Sequence, residues 1–368
     1  MLKNLALLGA SVLISLVLAE GLVRLVAPQQ PAVWHTMRDG LVVHPPGLTT
    51  YLTEFDQETR FNSAGMRDRE RAVSKAEGTL RVLVLGDSFM EALQVAFQDS
   101  FPSLLESALR DKLGREVEVI NLAVSGWSQD DQLAYLRKHG LGYRPDLVLV
   151  AMTVHNDVVE NERERFHALS GGRLVTKPVV LMSETEYRIL QLKGFFASHS
   201  HLWQLLRKLK HLAAIRMQAA ELDKHVAQLI TTDLRETQTD HGWALTFSLF
   251  KAIRDAGREV GATTAIMLIP LRIQLHDEAL KGFRTKVGAP ASGVAADAPQ
   301  QAMARFGRES GIEIIDLLPA LRSWTVGQRA VDPSASVHLQ EGHWNAAGHR
   351  LAANVAAEAI VAKRLLAR

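Results

Sequence analysis

The sequence predicts a three-layer α/β/α sandwich on a five-stranded parallel sheet, preceded by one N-terminal transmembrane helix. Three observations predict it. Five short apolar runs, at 81–86, 117–122, 147–152, 264–269 and 313–316, are mostly continuous rather than alternating, as strands buried on both faces are. Helical stretches at 101–113, 130–139, 243–260, 302–310 and 346–366 lie between or after them, and strand–helix alternation builds parallel sheets covered on both sides. Ahead of these, the residues from Asn4 to Ala19 are uncharged and mostly apolar, and the apolar character persists to Val26.

As a helix, residues 5–26 extend about 33 Å at roughly 1.5 Å per residue, enough for the apolar layer of a bilayer. Glu20 and Arg24 are spaced to pair on such a helix and to sit at the membrane boundary. The head carries Lys3 and the amino terminus, whereas 27–60 holds more acidic than basic residues. The positive-inside bias therefore predicts a single pass through the cell inner membrane with the bulk of the protein on the periplasmic side. "VLA" at 17–19 also resembles a signal-peptide cleavage site, but apolar residues continue past it, which favours an uncleaved anchor over 1–26.

Residues 27–78, with Pro28, Pro31, Pro45 and Pro46, read as a linker that becomes an irregular N-terminal extension packed on the main domain, 79–368. The gap between the third and fourth strands is too long for one helix, so about 158–241 form a helical insertion. Leu202, Leu205, Leu206, Leu209 and Leu212 make one stripe there, which packs on its own domain, on a membrane surface or on a partner helix. The segment 286–301 reads as a mobile loop.

Composition removes several classes of function. With 42 basic and 40 acidic side chains spread along the chain, there is no electrostatic footprint for nucleic acid. The chain has no cysteine, so disulfides and thiolate catalysis are excluded. It has neither a G-x-S-x-G elbow nor a G-x-x-x-x-G-K-[ST] phosphate loop.

The ends of the strands carry the chemistry. The first three runs end in "GDSF" at 86–89, "NLAVSGWS" at 121–128 and "TVHND" at 153–157, and "HLQEGHWNAAGH" at 338–349 precedes the last helix. Parallel strands aim their carboxyl ends at one crevice, so Ser88, Gly126 and Asn156 can converge. Acyl transfer needs a hydroxyl activated by a base, and His343 titrates near working pH and can take the Ser88 proton. The developing oxyanion needs donors placed in advance. The backbone N–H groups of Ser88 and Gly126 and the Asn156 amide are the candidates. Taken alone, Ser88 is equally an N-cap and Asn156 a turn residue, while Asp87 reads as structural. His338, Glu341, His343 and His349 match no familiar zinc spacing, so no metal or other cofactor is expected.

"GDSF", "SG" at 125–126, "ND" at 156–157 and "EGHWN" at 341–345 resemble, in order, the four blocks of the SGNH/GDSL hydrolase superfamily. "FNSAGMRDRE" at 61–70 after an apolar anchor is similar to its membrane-anchored bacterial branch. The resemblance implies a flavodoxin-like fold and a metal-independent esterase with Ser88 as nucleophile, His343 as base and Gly126 and Asn156 as oxyanion donors. It also implies an O-acyl ester, often acetyl, of a saccharide or lipid-linked molecule as substrate. Two departures stand out. Val154 and His155 occupy places where a glycine often precedes the asparagine, and Gln340 stands where many members carry the triad acid. Glu341 is then the nearest carboxylate to orient His343, with Asp332 or a backbone carbonyl as substitutes. The same residues also fit an O-acyltransferase, or a catalytically idle tethered binding or assembly protein; protein partners are not specified.

Overall fold

The computed structural model describes residues 2–30, 32–154, 156–210, 241–287, 296–332, 334–339 and 342–366. Helix α1 (Leu2–Val26) has no acidic residue in its first turn and is apolar around its whole circumference; its most apolar stretch is uncovered by the rest of the chain. Two short antiparallel hairpins follow in the extension, β1 (His35–Thr36) with β2 (Val42–Val43), and β3 (Thr49–Leu52) with β4 (Gln57–Arg60). Leu41 and Met66 bury against the sheet with Leu83 and Leu85, and Val33 and Phe61 cluster with Leu52 and Leu93, so this proline-rich segment packs onto the rest of the chain.

The main domain is one parallel sheet. Its strands β5 (Leu80–Leu85), β6 (Val117–Asn121), β7 (Leu147–Thr153), β10 (Thr263–Ile269) and β11 (Glu313–Asp316) stand in the order β11-β10-β7-β5-β6. Because side chains alternate along a strand, Val82 and Val84 of β5 face one layer and Leu83 and Leu85 the other, and none of the four is exposed. The first layer holds α3 (Phe101–Leu113) and the last helix, Ala346–Ala362. The second holds α4 (Gln129–Tyr135) and the helices His241–Glu259 and Ala298–Ser310. Burying one such Val or Leu contributes about 1.5–3 kcal/mol, which is why continuous apolar strands settle between two layers.

The chain runs from β5 to β6 on one side and then to β7 on the other side of β5. The strand order reverses there, and the ends of β5 and β7 flank the crevice where open α/β sheets bind ligands. Between β7 and β10 lie α5 (Asp157–Asn161), a hairpin of β8 (His167–Ser170) with β9 (Arg173–Thr176), and α6 (Glu184–His199). Of the leucine stripe, Leu206 and Leu209 are exposed and Leu202 and Leu205 half-buried, while Leu212 lies outside the described residues.

The expected loop at 286–301 is corrected at both ends. Helix Asp277–Val287 runs into it, and Ala298–Ser310 begins inside it with Pro299 in its first turn, where a missing N–H has no cost. Residues 288–295 lie outside the described residues. The helix Leu318–Arg329 was also not expected; its apolar positions are interrupted by Arg322 and Ser323, yet Leu318, Leu321 and Thr325 bury.

Candidate active site

The strand β5 stops at Leu85, and Asp87 caps the short helix α2 (Ser88–Glu91) by accepting the Phe89 N–H at 3.0 Å. The capping role therefore belongs to Asp87, and the Ser88 hydroxyl is left for other work. Ser88 is half-buried, and its Oγ lies 2.8 Å from Nε2 of His343.

His343 arrives from the far end of the sequence on a turn fixed at several points. Leu339 N–H donates to the His343 carbonyl at 2.8 Å, and Asn345 N–H to Val337 at 2.9 Å. Trp344 is wholly buried, edge-on to both Phe89 and His349, and the Asn345 side chain caps the last helix by accepting the Gly348 N–H at 3.0 Å. The Phe89 ring also lies 5.1 Å from the His343 ring, so the residue after Ser88 helps seat His343. Burial, then the charges of Arg67 and His343, lower His349 to about 3; it stays neutral and its Nδ1 accepts the Phe101 N–H.

Strand β6 leads to Ser125 and Gly126. Gly126 is exposed and has φ of +81°, a conformation that side chains with a Cβ rarely adopt. Strand β7 leads to Asn156, half-buried at the N-cap position of α5, with its side chain beside the Asp87 carboxyl.

Two buried carboxyls underlie this edge. Burial raises Asp87, against lowering contacts from Thr153, the Phe89 N–H, His343 and Asn156. Asp157 is raised well above the usual carboxylate range, first by burial and then by the Asp87 charge. Its Oδ2 accepts Gln129 Nε2 at 2.5 Å and the Thr153 N–H at 2.9 Å. Two like charges this deep oppose each other, so the neighbouring charge adds to burial in raising Asp157.

The opposite end of α2 is equally polar inside. Glu91, fully buried, accepts the Ser125 N–H at 2.9 Å and the Ser125 hydroxyl on one oxygen and faces Nε2 of His44 with the other. Arg67 donates to the Glu91 carbonyl at 3.0 Å and to Val95 at 2.6 Å, and so satisfies carbonyls at the end of the helix. Burial lowers Arg67 to about 10, so it is still charged at neutral pH.

Ser88 and His343 are thus brought into contact, and Gly126 and Asn156 lie at the same edge of the sheet. Glu341 falls outside the described residues, together with Gln340 and His155. Asp332, the substitute acid, is exposed and turned onto Ser334, whose N–H and hydroxyl it accepts at 2.9 and 2.7 Å. Sequence reading missed Glu91, His44 and Asp157. The available signal for Glu91 was a carboxylate three residues after Ser88, closing an otherwise apolar stretch.

The profile of the GDSL-like lipase/acylhydrolase family matches residues 84–351. The chain belongs to that family. It is similar to an arylesterase of Vibrio mimicus, with 38% identity over 77 residues, which is 21% of this chain and 38% of that protein; it thus matches well under half of that relative's length. Among solved structures it is similar to an acetyl xylan esterase, AlAXEase (12% identity, TM-score 0.41, 76% of this chain and 100% of that one). It is also similar to a lipase/acylhydrolase from Enterococcus faecalis (14% identity, TM-score 0.37, 77% and 96%).

Proposed function

We propose that this GDSL-like hydrolase is a membrane-tethered serine esterase that removes a short acyl group, acetyl in the simplest case, from a saccharide or lipid-linked molecule. The observation that carries the reading is the 2.8 Å approach of His343 Nε2 to Ser88 Oγ across 255 residues of sequence. That is hydrogen-bonding distance for a general base and its nucleophile. His343 takes the hydroxyl proton as Ser88 Oγ bonds to the carbonyl carbon. The carbonyl electron pair moves onto oxygen, facing the Ser88 and Gly126 N–H groups and the Asn156 amide. Collapse expels the alcohol, which leaves with the proton held by His343, and water resolves the acyl-enzyme by the same steps. Glu341, two residues before His343, is the proposed orienter of its ring. A sugar hydroxyl in place of water gives the transferase outcome from the same intermediate.

The short acyl group and the substrate class follow from the family resemblance. The tether is supported by the length and exposure of α1 and by how its end is seated. Arg24 pairs with Glu20 at 2.7 Å and donates to the His199 carbonyl at 2.6 Å, while Glu20 accepts the Ser200 hydroxyl and the N–H groups of His201 and Leu202 at 2.7–3.0 Å. These contacts support a retained helix, and on this reading an N-terminal epitope stays with the membrane fraction. Loss of the epitope with release of soluble enzyme would replace the anchor by a cleaved signal peptide.

Activity is tested with p-nitrophenyl esters of graded chain length and a fluorophosphonate probe. Fast labelling at Ser88 and release of acetate support the esterase, and added saccharide that takes up the acyl group reveals transfer. A folded chain that neither labels nor turns over any ester is an idle binding protein.

A further inference from the structure

Gly126 is the least supported of the proposed oxyanion donors. It is exposed and a Cβ built on it meets nothing within 4 Å, so the groups that hold its two neighbours bear on how its N–H is aimed. Trp127 is held directly, and Ser125 through Glu91, by the N-terminal extension, which lies before the span 84–351 matched by the family profile.

On one side, the N–H and hydroxyl of Ser125 both donate to one oxygen of Glu91, which fixes the backbone and the side-chain rotamer of Ser125 together. The other Glu91 oxygen faces Nε2 of His44, and neither Glu91 nor His44 is exposed at all. The other ring nitrogen of His44 lies 2.6 Å from the Val33 carbonyl, which can only accept. Nδ1 therefore carries a proton, and one further proton lies between Nε2 and the carboxylate. The ring is stacked on Phe61 at 3.8 Å. The motif at 61–70 supports the histidine from below, since a Cβ on Gly65 would lie 2.3 Å from the His44 carbonyl, and His44 N–H donates to the Gly65 carbonyl. On the other side, the indole N–H of Trp127, itself fully buried, donates to the Val42 carbonyl at 2.8 Å, and Trp127 N–H closes the turn onto Val124.

We infer that residues 42–44 of the extension complete the oxyanion site: His44 through Glu91 and Ser125, and the Val42 carbonyl through Trp127, are positioning elements that aim the Gly126 N–H. A buried hydrogen-bonded pair contributes little stability compared with apolar residues of similar volume, so a role in fixing geometry accounts for it better than a role in holding the fold. The inference rests on the proposed Ser88–Gly126 site.

The test uses the full chain in detergent, with His44→Gln, Ser125→Ala, Trp127→Phe, the His44→Gln/Ser125→Ala double variant and Ser88→Ala. An oxyanion donor displaced by part of an ångström acts in the transition state alone, so kcat is expected to fall about 10–100-fold with KM within about twofold. Trp127→Phe removes the indole N–H donor together with part of the buried ring, so its melting temperature is measured alongside kcat, and it reads the effect if His44→Gln fails to fold. Because His44 and Ser125 act through one carboxylate, the double variant falls no lower than the worse single variant. Wild-type kcat in the folded single variants, a raised KM at constant kcat, or multiplied losses in the double variant would overturn the inference. If Ser88→Ala itself stays active, the failure lies in the site assignment rather than in the extension.

Discussion

The two sides of the candidate site are built from different materials. Around Ser88 the interior is polar: Asp87, Asp157, Glu91, His44 and Gln129 are all buried, and each holds a backbone or side-chain group by hydrogen bonds. Around His343 it is apolar and aromatic, with Trp344, Phe89 and Val337 filling the space behind the turn. The contrast follows from the connections. The serine sits at the end of a buried strand, where free backbone groups need partners inside the protein. The histidine sits on a turn that closes its own backbone bonds and needs only a surface to pack on. Damage on the first side should show as changed pH dependence or rate, and damage on the second as lost stability.

The largest expected effect breaks both sides at once. Ser88→Ala and His343→Ala should each lower kcat on a p-nitrophenyl ester by roughly 10³-fold or more, and the double variant by no more than the worse single one, since the pair acts as a unit. Thermal unfolding should barely move. Additive losses would mean that the contact is not a working pair.

Next in size, Trp344→Ala should cost about 3–5 kcal/mol in denaturant unfolding, the range for removing a fully buried aromatic. A loss under about 1 kcal/mol would show that the turn is not held by packing. Asn345→Ala, which removes the cap of the last helix, should cost about 1 kcal/mol by the same measurement.

The smallest effect sharpens the contrast through pH. Asp157 has a raised pKa in the folded state, so its contribution to stability is complete below the unfolded value of about 4 and is lost as pH rises through the folded one. Glu91 is lowered in spite of its burial, by the His44 charge and bonds from His44 and Ser125. Its contribution is present above its unfolded value and is lost as pH falls. Asp157→Asn should therefore gain in melting temperature relative to wild type as pH rises from about 4 through neutrality. Parallel curves for the two proteins would show that Asp157 titrates no higher in the folded chain than in the unfolded one.

How much was legible in advance varies with the range of the interaction. The strand at 313–316 and the helix at 101–113 were read to the residue, because each is set by local periodicity and, for the helix, by a proline in its first turn. The helix Asp277–Val287 was not read; only Leu280 among its described side chains is buried, in a small cluster with Leu271 and Val154, so few apolar positions mark it. Ser88, Gly126, Asn156 and His343 were named from short blocks at strand ends. The substitute acid Asp332 turned out to be occupied by its own turn, a contact the spacing did not reveal.

By itself the sequence determined that the apolar runs would form a covered parallel sheet and that Ser88 and Asn156 would stand at its carboxyl edge, because strand direction alone sends those ends one way. The tertiary structure decided which side chain caps α2, that the turn carrying His343 meets Ser88, and that residues 42–44 reach Trp127 directly and Ser125 through Glu91. Those outcomes depend on which groups are taken out of water together, and a linear chain does not specify that until its distant segments have packed.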